Sequence, residues 1–393
     1  MASTPKNNLE LHDKRGGNTA FFRTLAVAVS GGLDSMALLH AAMPVFAFHV
    51  HHGLSDDADD WLQHVARFCA QNHIQLITRH LDASTRKNAQ SIEDWARQGR
   101  YTALTEMAHA HQVTHIWLAQ HQDDQIETYL LQKNRGAGVR GLSAMPQSWV
   151  KHNITWQRPW LNATRAQLAA YVAEHAIAHI HDASNDDTRF ARNALRIKVR
   201  QMIEPQRSEI LAEIKQAQQQ HAQELDWARH ILATHHAPHR ADIGESARLS
   251  LLDAYTMDEQ AILLRTWLGD MGWRMPKRAA LNELIKQLNH ARADQHMCWR
   301  HADGLMVAKY RQHIIAAPAF DGWFLPTHLK LEPAWTLCGR QGGEQFRLSP
   351  NQPRMTLKDA YQKAGIAPML RSQLPLIYRG ADLIYVVGVG EVY

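Results

Sequence analysis

The sequence predicts an α/β protein: a doubly wound parallel sheet, followed by an α-helical middle domain and a small α+β C-terminal domain. Three observations carry this. Short apolar runs alternate with helical periods up to about residue 205. A polar, Gln-rich helical stretch then takes over, and from residue 318 the pattern turns to alternation broken by Gly and Pro. The expected domains are therefore 1–205, 206–317 and 318–393, and a chain of 393 residues exceeds what one hydrophobic core usually serves.

Residues Thr24–Val29 (TLAVAV) form an apolar run that ends at a Gly pair and is followed by MALLHAAM at helical spacing, which reads as strand, loop, helix. Pro44–Val50 reads as a second strand, ended by His51-His52-Gly53. Asp57–Gln71 is a helix with Trp61, Leu62, Val65 and Phe68 on one face. Ile74–Leu81 is a third strand, Ser91–His111 a long helix, His115–Ala119 a fourth strand and Asp124–Leu131 a further helix. This alternation builds parallel sheets with helices on both faces, whose ligands bind at the carboxyl ends of the strands. Ser30, His51 and Gln120-His121 fall at those ends.

Gln206–His236 is polar and helical, and Leu249–Leu288 keeps helical periods with a break from Gly269 to Pro276. Ala317–Pro326 reads as a linker. Beyond it, Gly342-Gly343, Pro368 and Pro375 punctuate shorter elements, with Leu383–Val387 strand-like.

Formal net charge is +5, which is compatible with a polyanionic partner. Cys69, Cys298 and Cys338 stand far apart without a C-x-x-C pair, so neither a zinc ribbon nor a redox pair is expected, and a reducing cytoplasm fits best. The first twenty residues are polar, so no secretory signal is expected there. No apolar run reaches the ~18 residues of a membrane span. The sequence leaves monomer and homodimer equally open.

The loop Ser30-Gly31-Gly32-Leu33-Asp34-Ser35 lies between the first strand and its helix. Such a loop offers backbone N–H groups to an anion, and its glycines let oxygen atoms come close. Ser30 and Ser35 add hydroxyl donors. Asp34 would repel a phosphate unless a Mg²⁺ ion lay between them. A Gly-Gly turn capped by Ser and Asp would look the same. The loop is neither G-x-x-x-x-G-K-[ST] nor G-x-G-x-x-G.

The loop resembles the S-G-G-x-D-S signature of the PP-loop ATP pyrophosphatases, with their adenine nucleotide alpha hydrolase-like fold. Members split ATP between the α- and β-phosphates and adenylate a substrate oxygen. Four further segments narrow the resemblance: His49-Val50-His51-His52-Gly53-Leu54; Glu93-x-x-Ala96-Arg97-x-x-Arg100-Tyr101; Leu118–Leu142, LAQHQDDQIETYLLQKNRGAGVRGL; and Asp182–Asp187 with Arg192-Asn193-x-Leu195-Arg196. In this order they resemble the tRNA(Ile)-lysidine synthetase family, well over residues 23–205 and more weakly beyond. Gly342-Gly343-Glu344 and Pro368-x-x-Arg371-x-x-Leu374-Pro375 resemble its C-terminal module. The family usually has Asn where His51 stands and often His where Gln122 stands.

The resemblance implies a ligase that joins free L-lysine to C2 of the wobble cytidine of tRNA(Ile) with a CAU anticodon, through an adenylated cytidine. ATP and Mg²⁺ are the expected cofactors. Ser30, Gly31, Gly32, Leu33, Asp34, Ser35 and His49 are the expected nucleotide contacts, with Asp34 the Mg²⁺ ligand. Asp34, Arg97, Arg100, His121 and Asp124 are the expected catalytic groups. Asp123, Asp124 and Glu127 are expected to take the lysine ammonium; the same acids would also cap a helix and complement its dipole. Lys133, Arg135 and Arg140 in the Gly-rich basic loop, and Arg189, Arg192 and Arg196 downstream, are expected at the tRNA; a solvated basic face would have the same composition. Trp149, Trp156 and Trp160 suit base stacking or, more readily, core packing. A tRNA thiolase would need paired cysteines, and an amidotransferase-type synthetase a glutaminase module with an N-terminal Cys. A non-catalytic RNA-binding protein would have no use for the intact loop beside Asp123-Asp124.

Overall fold

A computed structural model describes residues 24–53, 57–86, 91–180, 191–291, 297–301, 304–320 and 322–393. The chain forms two compact units, Met1–His221 and Ala222–Tyr393.

The first unit is built on a six-stranded sheet. Its strands are β1 (Leu25–Val29), β2 (Phe46–His51), β3 (Gln75–His80), β4 (His115–Trp117), β5 (Ser148–Lys151) and β6 (Ile154–Gln157). The order is β3-β2-β1-β4-β6-β5, parallel throughout except for β5, which pairs antiparallel with β6. The intervening helices are α1 (Leu33–Ala42), α2 (Ala58–Gln71), α3 (Ile92–Ala110), α4 (Gln122–Asn134), α5 (Val139–Leu142) and α6 (Arg165–Glu174). After them come α7 (Ala191–Arg200) and the long α8 (Glu204–His235), within which the boundary between the units falls.

Strand residues alternate between faces, and both faces of this sheet are covered. Leu25, Val27 and Val29 of β1 join a core with Met36–Leu39, Val65, Trp117, Leu168 and Tyr171. Ala26, with Phe48, Ile116, Leu104, Met107 and Trp156, belongs to the core on the opposite face. Burying each large apolar side chain in these layers contributes about 1.5–3 kcal/mol. The strand order reverses between β1 and β4, so a crevice opens at their carboxyl ends.

The second unit carries α9 (Met257–Asp270) and α10 (Arg278–His290). It adds a sheet that the helical periods do not announce: β7 (Ala247–Ser250), β8 (Cys298–Arg300), β9 (Leu305–Tyr310) and β10 (His313–Pro318), in the order β7-β10-β9-β8. A further sheet combines β11 (Trp335–Cys338), β14 (Leu376–Arg379), β15 (Asp382–Val386) and β16 (Gly390–Glu391). The short pair β12 (Gln345–Phe346) and β13 (Met355–Thr356) precedes α11 (Leu357–Lys363). Among the described residues no helix is long and apolar enough to cross a membrane.

Candidate active site

The chain turns from β1 into α1 through Ser30, Gly31 and Gly32. Gly31 has φ +95°, and a Cβ there would lie 3.0 Å from Ile180 Cδ1. Ile180 approaches because its N–H donates to the Gly31 carbonyl at 3.0 Å, so two separate constraints require glycine. The Ser30 N–H donates to Ser35 Oγ at 3.1 Å, and Ser35 Oγ donates to the Gly32 carbonyl at 3.0 Å. The loop is thus tied to itself by a buried serine. The first-turn amides of α1, from Leu33 on, have no intrahelical acceptor and remain available to an anion.

Asp34, in that first turn, meets the second wall of the crevice. His121, at the start of α4, places Nε2 3.5 Å from Asp34 Oδ2 and 3.5 Å from Asp124 Oδ2. The His121 N–H also donates to Asp124 Oδ2 at 3.0 Å, so Asp124 caps its own helix. Burial works against the His121 imidazolium, but Asp34, Asp124 and Asp123 outweigh it and its pKa lies above the ordinary 6.5. Burial would raise the Asp34 carboxyl, yet His121, Arg165 and Arg196 pull it below 3.8. The other Asp34 oxygen, Oδ1, is buried without a hydrogen-bond partner. An unpartnered buried carboxylate oxygen beside an anion cradle fits a Mg²⁺ ion, which binds through one or two carboxylates plus phosphates and keeps several waters. Among the described residues there is no ready-made His/Cys/Asp/Glu cage for a metal.

The two neighbouring acids of α4 are paired. Asp123 forms a buried ion pair with Arg207 Nη2. Glu127, 3% exposed, has Oε2 3.4 Å from Arg196 Nε. Removing one partner of a buried pair costs about 3–5 kcal/mol, because the other charge stays behind unpaired. Asp123, expected at the lysine ammonium, faces Arg207, just as Glu127 faces Arg196, while Asp124 faces His121.

At the carboxyl end of β2 the surroundings are basic. His49, 4% exposed, holds Nδ1 3.0 Å from the Val29 carbonyl. Because a carbonyl only accepts, Nδ1 carries the proton. Burial pushes the His49 pKa down. His52 Nε2 accepts from Arg100 Nη2 at 2.9 Å. Burial, reinforced by the Arg100 charge, pushes His52 down to about 4. Arg97 is exposed and lies over the Tyr101 ring at 5.5 Å. His51, where the family usually has Asn, pairs with Asp59 at 3.1 Å.

The basic loop is exposed at Arg135 and Arg140. Lys133 donates to Glu213 at 2.9 Å. Arg196 sits on α7 against α4, while of Arg192 only the helical backbone is described and Arg189 lies outside the described residues. Trp156 and Trp160 are core residues at 1% and 2% exposure. Trp149 stacks on Trp156 with centroids 5.8 Å apart.

Two arginines that no motif marks sit against the site. Arg158, 4% exposed, follows β6, donates to Gln120 Oε1 at 2.9 Å and stacks on Trp149 at 4.3 Å. Arg207 is the other. An Arg-Pro step directly after a Trp-containing strand was the only available signal for Arg158; Arg207 had none.

The chain matches family models described as a PP-loop domain over residues 7–203, a TilS substrate binding domain over 248–315 and a TilS substrate C-terminal domain over 335–392. It is 35% identical to a tRNA(Ile)-lysidine synthase of Ralstonia nicotianae, covering 93% of this chain and 89% of that one. A protein of the same name from Nitrosomonas europaea is 32% identical, over 93% of this chain and 87% of the relative. One from Proteus mirabilis is 30% identical, over 92% and 90%.

Proposed function

The chain belongs to the tRNA(Ile)-lysidine synthase family, and from that premise we propose that it ligates lysine to the wobble cytidine of tRNA(Ile) bearing a CAU anticodon. The single observation that carries the chemistry is the Asp34–His121–Asp124 cluster directly beside the open amides of the Ser30–Ser35 loop.

The overall change forms a C–N bond and expels the C2 oxygen of cytidine. That oxygen is a poor leaving group, so it first attacks the α-phosphorus of ATP, with release of pyrophosphate. The lysine ε-amine then attacks C2, and AMP departs with the oxygen. Mg²⁺, when bound, neutralises charge on the phosphates. Asp34 Oδ1 is the group that would hold it.

The other tasks fall to this chain's own residues. The α1 amides, with the hydroxyl of Ser30, cradle phosphate oxygens. Arg97 and Arg100, on one face of α3, meet the departing pyrophosphate. His49, fixed by Val29, lines the nucleotide pocket. Asp124 and Glu127 attract the lysine ammonium, and the fraction of His121 that is neutral takes the proton as the amine attacks, so the lysine step should speed up as pH rises through the raised pKa. Lys133, Arg135, Arg140 and the arginines at 189, 192 and 196 steer the tRNA backbone.

The test is direct. With ATP, Mg²⁺, labelled lysine and tRNA(Ile) of CAU anticodon, label should enter that tRNA with one pyrophosphate per lysine. Release of pyrophosphate without tRNA-bound label, or no release at all, overturns the proposal.

A further inference from the structure

We infer that the buried Arg207–Asp123 pair is a positioning device for the lysine pocket, locking the first turn of α4 against α7 so that Glu127 and Arg196 come face to face. The inference rests on the proposed role of Asp124 and Glu127 in ammonium binding.

Arg207 and Asp123 are 8% and 6% exposed, so both work through neighbours and not through solvent or substrate. Arg207 joins three points at once. Nη1 donates to the Val199 carbonyl at 3.1 Å, near the end of α7. Nη2 donates to Gln122 Oε1 at 3.2 Å and to Asp123 Oδ1, both in the first turn of α4. The planar, five-donor guanidinium suits this task; an ammonium on a flexible stem offers no such fixed fork. Asp123 also faces the Arg165 N–H, at 3.5 Å, at the start of α6.

Asp123 and Glu127 are four residues apart and share one stripe of α4. That stripe meets Arg207 of α8 at one end and Arg196 of α7 at the other. The two pairs close α4 onto the arginine-bearing helices like successive teeth. Asp124, the next residue along the helix, is rotated off this stripe, toward His121 and Asp34. The orientation of Asp123 therefore sets the direction of both remaining carboxylates. A misplacement near 1 Å at a reacting group is enough to cost about a hundredfold in rate.

The experiment compares wild type with the double variant Asp123→Leu/Arg207→Met and with Arg207→Lys. The double variant exchanges a buried pair for apolar side chains, which tends to preserve folding. Arg207→Lys keeps the charge and loses the fork. Three quantities are read: the melting temperature, the pyrophosphate burst with ATP and tRNA before lysine is added, and the KM for lysine. The expected result is a lysine KM raised about tenfold or more in both variants, with the burst within about twofold of wild type.

A folded double variant with the wild-type lysine KM overturns the inference. So does an equal loss in burst and lysine step. Should the double variant not fold, a wild-type KM in Arg207→Lys overturns it instead. Failure of the underlying reading is distinct, because wild type itself would then give no lysine-dependent turnover.

Discussion

His121 and His52 stand on the same carboxyl edge of one sheet, after β4 and β2, and their surroundings push them in opposite directions. Burial disfavours the charged form of both. Around His121 three aspartates overcome it, and the imidazole is held toward its protonated form. Around His52 the Arg100 guanidinium adds to it, and the imidazole stays neutral down to about 4. The contrast divides the crevice by charge. On the β1–β4 side, carboxylates gather around His121. The β2–α3 side carries the Arg97 and Arg100 guanidiniums, Arg97 over Tyr101 and Arg100 donating to His52. The proposed reaction, which adenylates a cytidine oxygen and then replaces it with an amine, has to handle a triphosphate and an ammonium in turn at one sheet edge.

The sharpest way to break the contrast is to remove Asp34, the acid between His121 and the phosphate loop. Asp34→Ala should lower pyrophosphate release by about a thousandfold or more, the scale of losing a principal electrostatic group at a transition state. Binding of tRNA in a gel shift should stay within about threefold, because Asp34 bears on the nucleotide and not on backbone phosphates. Turnover like wild type would remove Asp34 from the mechanism. His121→Gln is the next largest perturbation. It keeps a polar side chain of similar reach but cannot accept the amine proton, so the lysine-dependent step should fall by about a hundredfold while the lysine-independent burst persists. A burst lost as completely as the second step would make His121 part of ATP handling instead.

The strand–helix alternation from Thr24 to Leu131 was legible because Thr24–Val29 and Pro44–Val50 are largely apolar runs and Asp57–Gln71 keeps its apolar residues on one face. The hairpin β5–β6 was not, since each strand has four residues and its tryptophans suggest several other roles. In the sheet β7-β10-β9-β8, β7 and β8 were hidden for a similar reason, since β7 reads Ala-Arg-Leu-Ser and β8 has three residues, whereas β9 and β10 are six-residue apolar strands within a stretch expected to be helical. The phosphate loop announced itself through Gly31, whose positive φ only glycine adopts readily. Within Asp123-Asp124 the sequence offers two equal carboxylates. Only the docking of α7 and α8 separates the one that meets Arg207 from the one that meets His121. Arg207 lies in a helix of mixed charges, where nothing distinguishes it from a solvated residue.

The smallest expected effect isolates the basic half of the crevice. His52 is held neutral by the fold, whereas in the unfolded chain it takes up a proton near its ordinary 6.5. Between pH 6.5 and about 4 the unfolded state therefore binds more protons at this residue, and stability must fall as pH falls through that window. Above it both states are neutral and the contribution is complete; below it both are charged and the loss stops. The slope from this residue is less than about 1.4 kcal/mol per pH unit, the limit for one proton. Arg100→Ala removes the second-largest cause and leaves burial with the smaller contributions of His49 and His51, so the window should shrink from its acid end without vanishing. Urea unfolding at several pH values, for wild type, Arg100→Ala and His52→Gln, measures this. His52→Gln should flatten the slope more than Arg100→Ala does. Identical slopes in all three proteins would mean that the imidazole beside Arg100 is not the neutral group its hydrogen bond requires.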